Sequence, residues 1–135
     1  EELAPALQYD EFRLGVESHV NTKRKEQIVD LKEIIKLSPD QKERPKLLFR
    51  LGELYWEESK YYFFEANRKD DEYIKAMNAN DKAGMERAKA EKEAKQEESK
   101  GQAKLAVEAR IDACIHAGME MEDLLNHAYS FQFKC

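Results

Sequence analysis

Glycine and proline are scarce, five and three in 135 residues. So few breakers exclude the many short strands and tight turns of a sandwich or barrel. β-Branched residues are also few, and no segment alternates apolar and polar for long, so no sheet is predicted. Only three histidines occur, His19, His116 and His127. No CxxC, HxxxH or HExxH spacing is present, which argues against a zinc site. His116 follows Cys114 by two residues, a spacing that turns the two to different faces of a helix. Two cysteines do not make a disulfide framework. Cys114 reads as a small core hydrophobe, and Cys135, if exposed, as a thiol open to intermolecular pairing. Long apolar runs are missing too: Tyr61-Tyr62-Phe63-Phe64 is far too short to span a membrane. The segment Glu1–Pro5 has neither the basic start nor the apolar run of a signal peptide. A chain after cleavage would look the same, so the compartment stays open.

What the chain has in quantity is charge. Charged residues make up 38% and hydrophobic ones 41%. With Ala, Glu, Lys and Leu abundant, that is the composition of long helices, and the length suits one domain. The 23 basic and 28 acidic residues are interleaved, giving a net charge of −5. Interleaving keeps a surface solvated without a field of one sign, and a net acidic chain lacks the basic face of a nucleic-acid binder. The densest basic run, Lys23-Arg24-Lys25, reads as a solvated helix face.

Helical spacing begins near Gln8. Tyr9, Phe12, Val16 and Val20 form one stripe, and Ile28, Leu31, Ile34 and Ile35 a second. Asn21-Thr22 is predicted to break the helix and cap the second piece. Ser38-Pro39-Asp40 ends it, because proline denies the preceding residue helical geometry. After a link from Asp40 to Arg44, Pro45 suits the first turn of a helix running to about Asn78. The first half of that helix is broadly apolar (Leu47, Leu48, Leu51, Leu54, Tyr55, Trp56, Tyr61, Tyr62, Phe63). Its second half is polar. Asn78-Ala79-Asn80-Asp81 is the best turn signal. The next helix, to about Ala117, starts polar with a thin seam of Ala83, Ala90 and Ala94. It ends apolar, with Val107, Ile111, Cys114, Gly118, Met121 and Leu125 at steps of three and four. Folded back at the turn, apolar meets apolar and polar meets polar. The expectation is all-α: an antiparallel helical hairpin with a packed base (9–66 and 105–128) and a projecting, coiled-coil-like polar arm (67–104). Gly118 bends or ends the last long helix, and Tyr129, Phe131 and Phe133 either cover the core or continue into a longer protein.

Leu51-Gly52-x-x-Tyr55, preceded by Leu48, resembles the first helix of a tetratricopeptide repeat, whose pattern is W-x2-L-G-x2-Y. Glu33-Ile34-Ile35-Lys36-Leu37-Ser38-Pro39 looks like the end of such a repeat's second helix. Leucine replaces the tryptophan, the link is long, and Phe64 falls where a small alanine belongs. The arm then looks like an insertion between two repeat helices. The stretch from Leu48 to Ala66 also resembles repeat proteins of bacterial cell envelopes, including some linked to gliding motility. That likeness implies a periplasmic or cell-envelope scaffold, with the cytoplasm as the alternative.

Chemistry finds little purchase. Glu57-Glu58, Glu97-Glu98 and Glu120-x-Glu122-Asp123 read as solvated acids, because the Glu-x-x-His of a di-metal bundle is absent. Ser18, Ser59 and Ser99 lack the setting of a nucleophile elbow, and there is no Gly-rich phosphate loop. The expectation is a non-enzyme without catalytic residues, metal or cofactor, whose partner is another protein. In a repeat of this kind the first helix faces the partner. Arg50, Glu53, Glu57 and Lys60 are the polar contact candidates, with Tyr61 and Tyr62 where base becomes arm. The aromatic stripe from Tyr55 to Phe64 otherwise reads as core. The alternative function is self-association, as a dimer through the arms or the apolar C-terminal end.

Overall fold

Three helices make up the architecture: α1 (Pro5–Leu37), α2 (Arg44–Asn78) and α3 (Lys82–His116). The computed structural model describes residues 5–37 and 40–118, with side chains from Phe12 onward. Among these residues there is no strand. Ser38-Pro39, and everything after Gly118, including the apolar steps at Met121 and Leu125 and the terminal aromatics, lie outside the described residues.

α1 is one helix, not two. The predicted break at Asn21-Thr22 does not form, because both side chains have other uses. The Thr22 hydroxyl donates to the Ser18 carbonyl at 3.1 Å, a bond made inside a continuing helix. Asn21 is buried, and its amide nitrogen donates to Glu58 Oε2 at 2.9 Å. After α1, the Asp40 carboxylate accepts from the Lys42 backbone N–H at 2.9 Å and shapes the turn before Arg44. Pro45 occupies the first turn of α2, where a missing N–H leaves no bond unmade.

α2 runs unbroken for 35 residues, about 52 Å at 1.5 Å per residue. It ends in a turn at Asn80, whose φ of 54° is one that asparagine tolerates better than most residues. Asp81 then caps α3, accepting from the Gly84 backbone N–H at 3.0 Å. Past His116, Gly118 takes φ +80° and ends the helix in the left-handed conformation suited to glycine.

α2 and α3 pack in opposite directions. Gly52 lies against Ala106 and Ala109, Ser59 against Ser99, Lys69 against Glu91, Asp70 against Lys92, and Ala76 beside Gly84. A Cβ on Gly52 would sit 3.3 Å from the Ala106 carbonyl oxygen, so the glycine is what lets the helices approach there. The core gathers Ile28, Leu31 and Ile35 of α1, Leu48, Leu51, Leu54 and Tyr55 of α2, and Ala106, Ala109 and Ala113 of α3. Each large aliphatic there contributes about 1.5–3 kcal/mol by burial. The distal halves of α2 and α3 bury only small residues, Ala66, Gly84 and Ala88.

The faces of α3 differ from the expected ones. Ala83, Ala90 and Ala94 are exposed, while Gly84 and Ala88 form the seam. Nearer the base, Val107 and Ile111 are half-buried, and the inward positions are Ala106, Ala109, Arg110, Ala113 and Cys114. The Asp81 cap and the Ser59–Ser99 contact fix this rotation. Cys114 is buried as expected, but it is disulfide-bonded, not a free core thiol. The other cysteine, Cys135, lies outside the described residues.

Candidate docking crevice between α1 and α2

The apolar stripe of α1 is covered along only part of its length. Ile28, Leu31 and Ile35 are buried against α2, while Phe12, Val16 and Val20 are 70%, 45% and 46% exposed. Across from them on α2, Phe64 is 59% exposed. Between the two helices a crevice of about 350 Å³ opens, lined by Val16, Glu17, Val20, Arg24, Glu57, Lys60, Tyr61 and Phe64. Its floor is apolar and its rim carries two acids and two bases.

Beneath the crevice lies a polar lock that the sequence did not reveal. Glu58 is 1% exposed. Its carboxylate accepts from Arg24 Nη1 at 3.0 Å and from the Asn21 amide. A buried carboxylate without partners would be very unfavourable, so these contacts fix where α1 crosses α2. The readings of Lys23-Arg24-Lys25 and Glu57-Glu58 as solvated runs therefore fail at their central residues, Arg24 and Glu58. Lys25, itself exposed, leans over the same junction. Its ammonium sits 5.6 Å from the Tyr62 ring centre, and Lys95 of α3 approaches the same ring at 5.4 Å. Hydrogen bonding with Tyr62, outweighing the opposing effect of burial, holds Lys25 above its usual pKa of 10.5. Ser59 and Ser99 close the junction, the Ser59 hydroxyl donating to the Ser99 carbonyl at 2.8 Å and Ser99 returning a bond to the Ser59 carbonyl at 2.9 Å. Both hydroxyls thus join α2 to α3.

The six contact candidates separate into three environments. Arg50 and Glu53 are exposed and pair with each other at 3.1 Å, away from the crevice lining. Glu57, Lys60 and Tyr61 line the crevice, with Lys60 and Glu57 paired at 2.8 Å. Tyr62 is buried beneath Lys25 and Lys95 and supports the site from below. The aromatic stripe divides accordingly: Tyr55 and Tyr62 are core, Tyr61 is half-buried, and Phe63 and Phe64 are exposed. Val16, Val20 and Phe64 are additions that sequence reasoning assigned to α1 packing or to core. Their helical spacing was legible, but the splaying of α1 from α2 was not.

Elsewhere, Arg110 lies over the Phe49 ring at 3.8 Å, with its pKa lowered by burial. Among the described residues no group of three or more His, Cys, Asp or Glu could hold a metal ion. No described helix is long and apolar enough to cross a membrane. Comparison with known proteins gives no match to any family model, curated protein or solved structure.

Proposed function

We propose that this chain is a non-catalytic protein-interaction module: a tetratricopeptide-like scaffold that docks partners on its α1–α2 face. The carrying observation is the apolar crevice at Val16, Val20, Tyr61 and Phe64, open to solvent on a folded base. Contiguous exposed apolar surface rimmed by polar residues marks interaction sites. Glu57 and Lys60 on the rim supply orientation, and the base (9–66 and 105–128) is the mount from which the arm (67–104) projects as a coiled-coil-like spacer. Two features support the repeat-like reading. Gly52 meets the neighbouring helix as the L-G-x-x-Y pattern requires, and Tyr55 packs beside it in the core. Against a standard repeat stand α2 and α3, each about as long as a whole 34-residue repeat. The likeness of Leu48–Ala66 to envelope repeat proteins is the ground for reading the module as part of a cell-envelope assembly, with a cytoplasmic one as the alternative.

The test is affinity capture with mass spectrometry on three proteins: the intact chain, a chain with Asn67–Lys100 replaced by a short helical turn, and Val20→Glu. Circular dichroism first establishes that each is folded. Partners retained by the shortened chain and lost by Val20→Glu are the expected result. Partners lost with the arm and kept by Val20→Glu would move recognition to the arm. Capture of no protein by the intact chain would reject the reading.

A further inference from the structure

α2 has a second aromatic face, on the side away from the α1 crossing. At about 100° per residue, Phe49 stands about 180° and Trp56 about 200° round the helix from Glu58, the residue that meets Arg24 of α1. Both rings are half-buried against the core. Arg110 of α3 lies over the Phe49 ring, and Cys114 follows Arg110 by one turn on the same side of α3. Among the described helices only α1 and α3 pack on α2, and α1 crosses at Glu58.

The chain's own end is brought to this face. Cys114 is buried and disulfide-bonded. The chain holds two cysteines, so the bond returns Cys135 to α3, with the two Cα atoms about 4.4–6.8 Å apart. Gly118, at φ +80°, ends α3 one turn after Cys114. Residues 119–135 therefore leave α3 beside Cys114 and finish bonded to it. A segment of that length that doubles back reaches at most about 28 Å when extended. Gly52 faces Ala106 to Arg110, which puts Trp56 about 15 Å from Cys114 along the helix axes, inside that reach. The segment has apolar side chains to lay on the rings, among them Leu124, Leu125, Tyr129, Phe131 and Phe133.

We infer that residues 119–135 form a strap, latched by a Cys114–Cys135 disulfide, that lies on the α2–α3 face over Phe49 and Trp56. Latching turns two thiols into one disulfide. The two electrons and two protons pass by thiol–disulfide exchange to a disulfide-bearing oxidant, which leaves as a dithiol. A dithiol reductant reverses the step and releases the strap. The face then opens as a second docking surface under redox control, independent of the α1–α2 crevice.

Trp56 is the chain's only tryptophan, so its fluorescence reads the strap directly. Peptide mapping without reduction is expected to yield a fragment joining Cys114 to Cys135 within one chain. Dithiothreitol, and separately Cys135→Ser, are expected to shift Trp56 emission to longer wavelength and to raise its acrylamide quenching constant about twofold, with the helical circular dichroism kept. Phe131→Glu combined with Phe133→Glu is expected to raise quenching in the same way while the disulfide stays intact. A disulfide that joins two chains, or two free thiols in the air-oxidised protein, overturns the inference. So does a quenching constant that reduction and Cys135→Ser leave unmoved, or one that the paired aromatic substitutions leave unmoved.

Discussion

At the residue scale the fold depends on a few side chains whose neighbours are remote in sequence. Glu58 and Arg24 stand 34 positions apart, and nothing in either local run tells a buried acid from a solvated one. Breaking a buried pair leaves an uncompensated charge, so Glu58→Ala is expected to cost about 3 kcal/mol in urea unfolding. Replacing both partners by aliphatic residues (Arg24→Met with Glu58→Leu) should recover most of that loss, because no charge is then stranded. A Glu58→Ala stability within experimental error of the parent would show that the lock is not structural. Two glycines make a second contrast. A Cβ on Gly101 meets nothing within 4 Å, whereas one on Gly52 presses on the α3 backbone. Gly101→Ala should therefore gain close to the helix-propensity difference, about 1 kcal/mol. Gly52→Ala should lose that gain to crowding and come out neutral or destabilised, both read from thermal or urea melts.

At the element scale, helix identity was legible and helix rotation was not. Pro45, Asn80 and Asp81 announce the ends of α2 and the start of α3 through their own backbone preferences, so those boundaries needed no tertiary information. The break predicted at Asn21-Thr22 failed because capping residues have uses inside helices when a partner such as Glu58 lies alongside. Ala83, Ala90 and Ala94 were mistaken for the seam because the polar half of α3 is rich in alanine all round, and only the cap and the Ser59–Ser99 contact select Gly84 and Ala88. With so little apolar area, the distal halves of α2 and α3 lean on ion pairs such as Lys69–Glu91 at 2.8 Å. Hydrogen bonding to Lys69 lowers the Glu91 pKa below 4.5, and hydrogen bonding to Glu91, ahead of the opposing effect of burial, raises that of Lys69 above 10.5. The pair's contribution is thus full between those two usual values. It fades as pH falls through the lowered acid pKa or rises through the raised lysine pKa. Amide exchange in the arm should accordingly respond to Lys69→Ala near neutral pH, and far less at pH values below the Glu91 transition. An equal effect at both would remove the ion pair from the account.

At the scale of the whole molecule, the net charge of −5 is unevenly spread. The span 67–100 carries nine basic and nine acidic residues, and α1 six of each, so the excess of acid lies elsewhere in the chain. Composition showed this interleaving, but only the splay of α1 shows where apolar surface is left uncovered. A shortened chain lacking 67–100 should keep the base folded, since the hydrophobic cluster lies wholly outside that span; a cooperative urea melt of that chain checks it. The unbroken course of α2 has a mechanical consequence. One continuous rod joins the floor of the crevice to the tip at Asn80, with no hinge residue or second break along it. From Tyr61 to the tip is about 28 Å at 1.5 Å per residue, so a tilt of roughly 5° at the crevice swings the tip by about 2.5 Å. Any tilt of α2 beside the Glu58 lock would therefore be carried undiminished to the far end of the molecule.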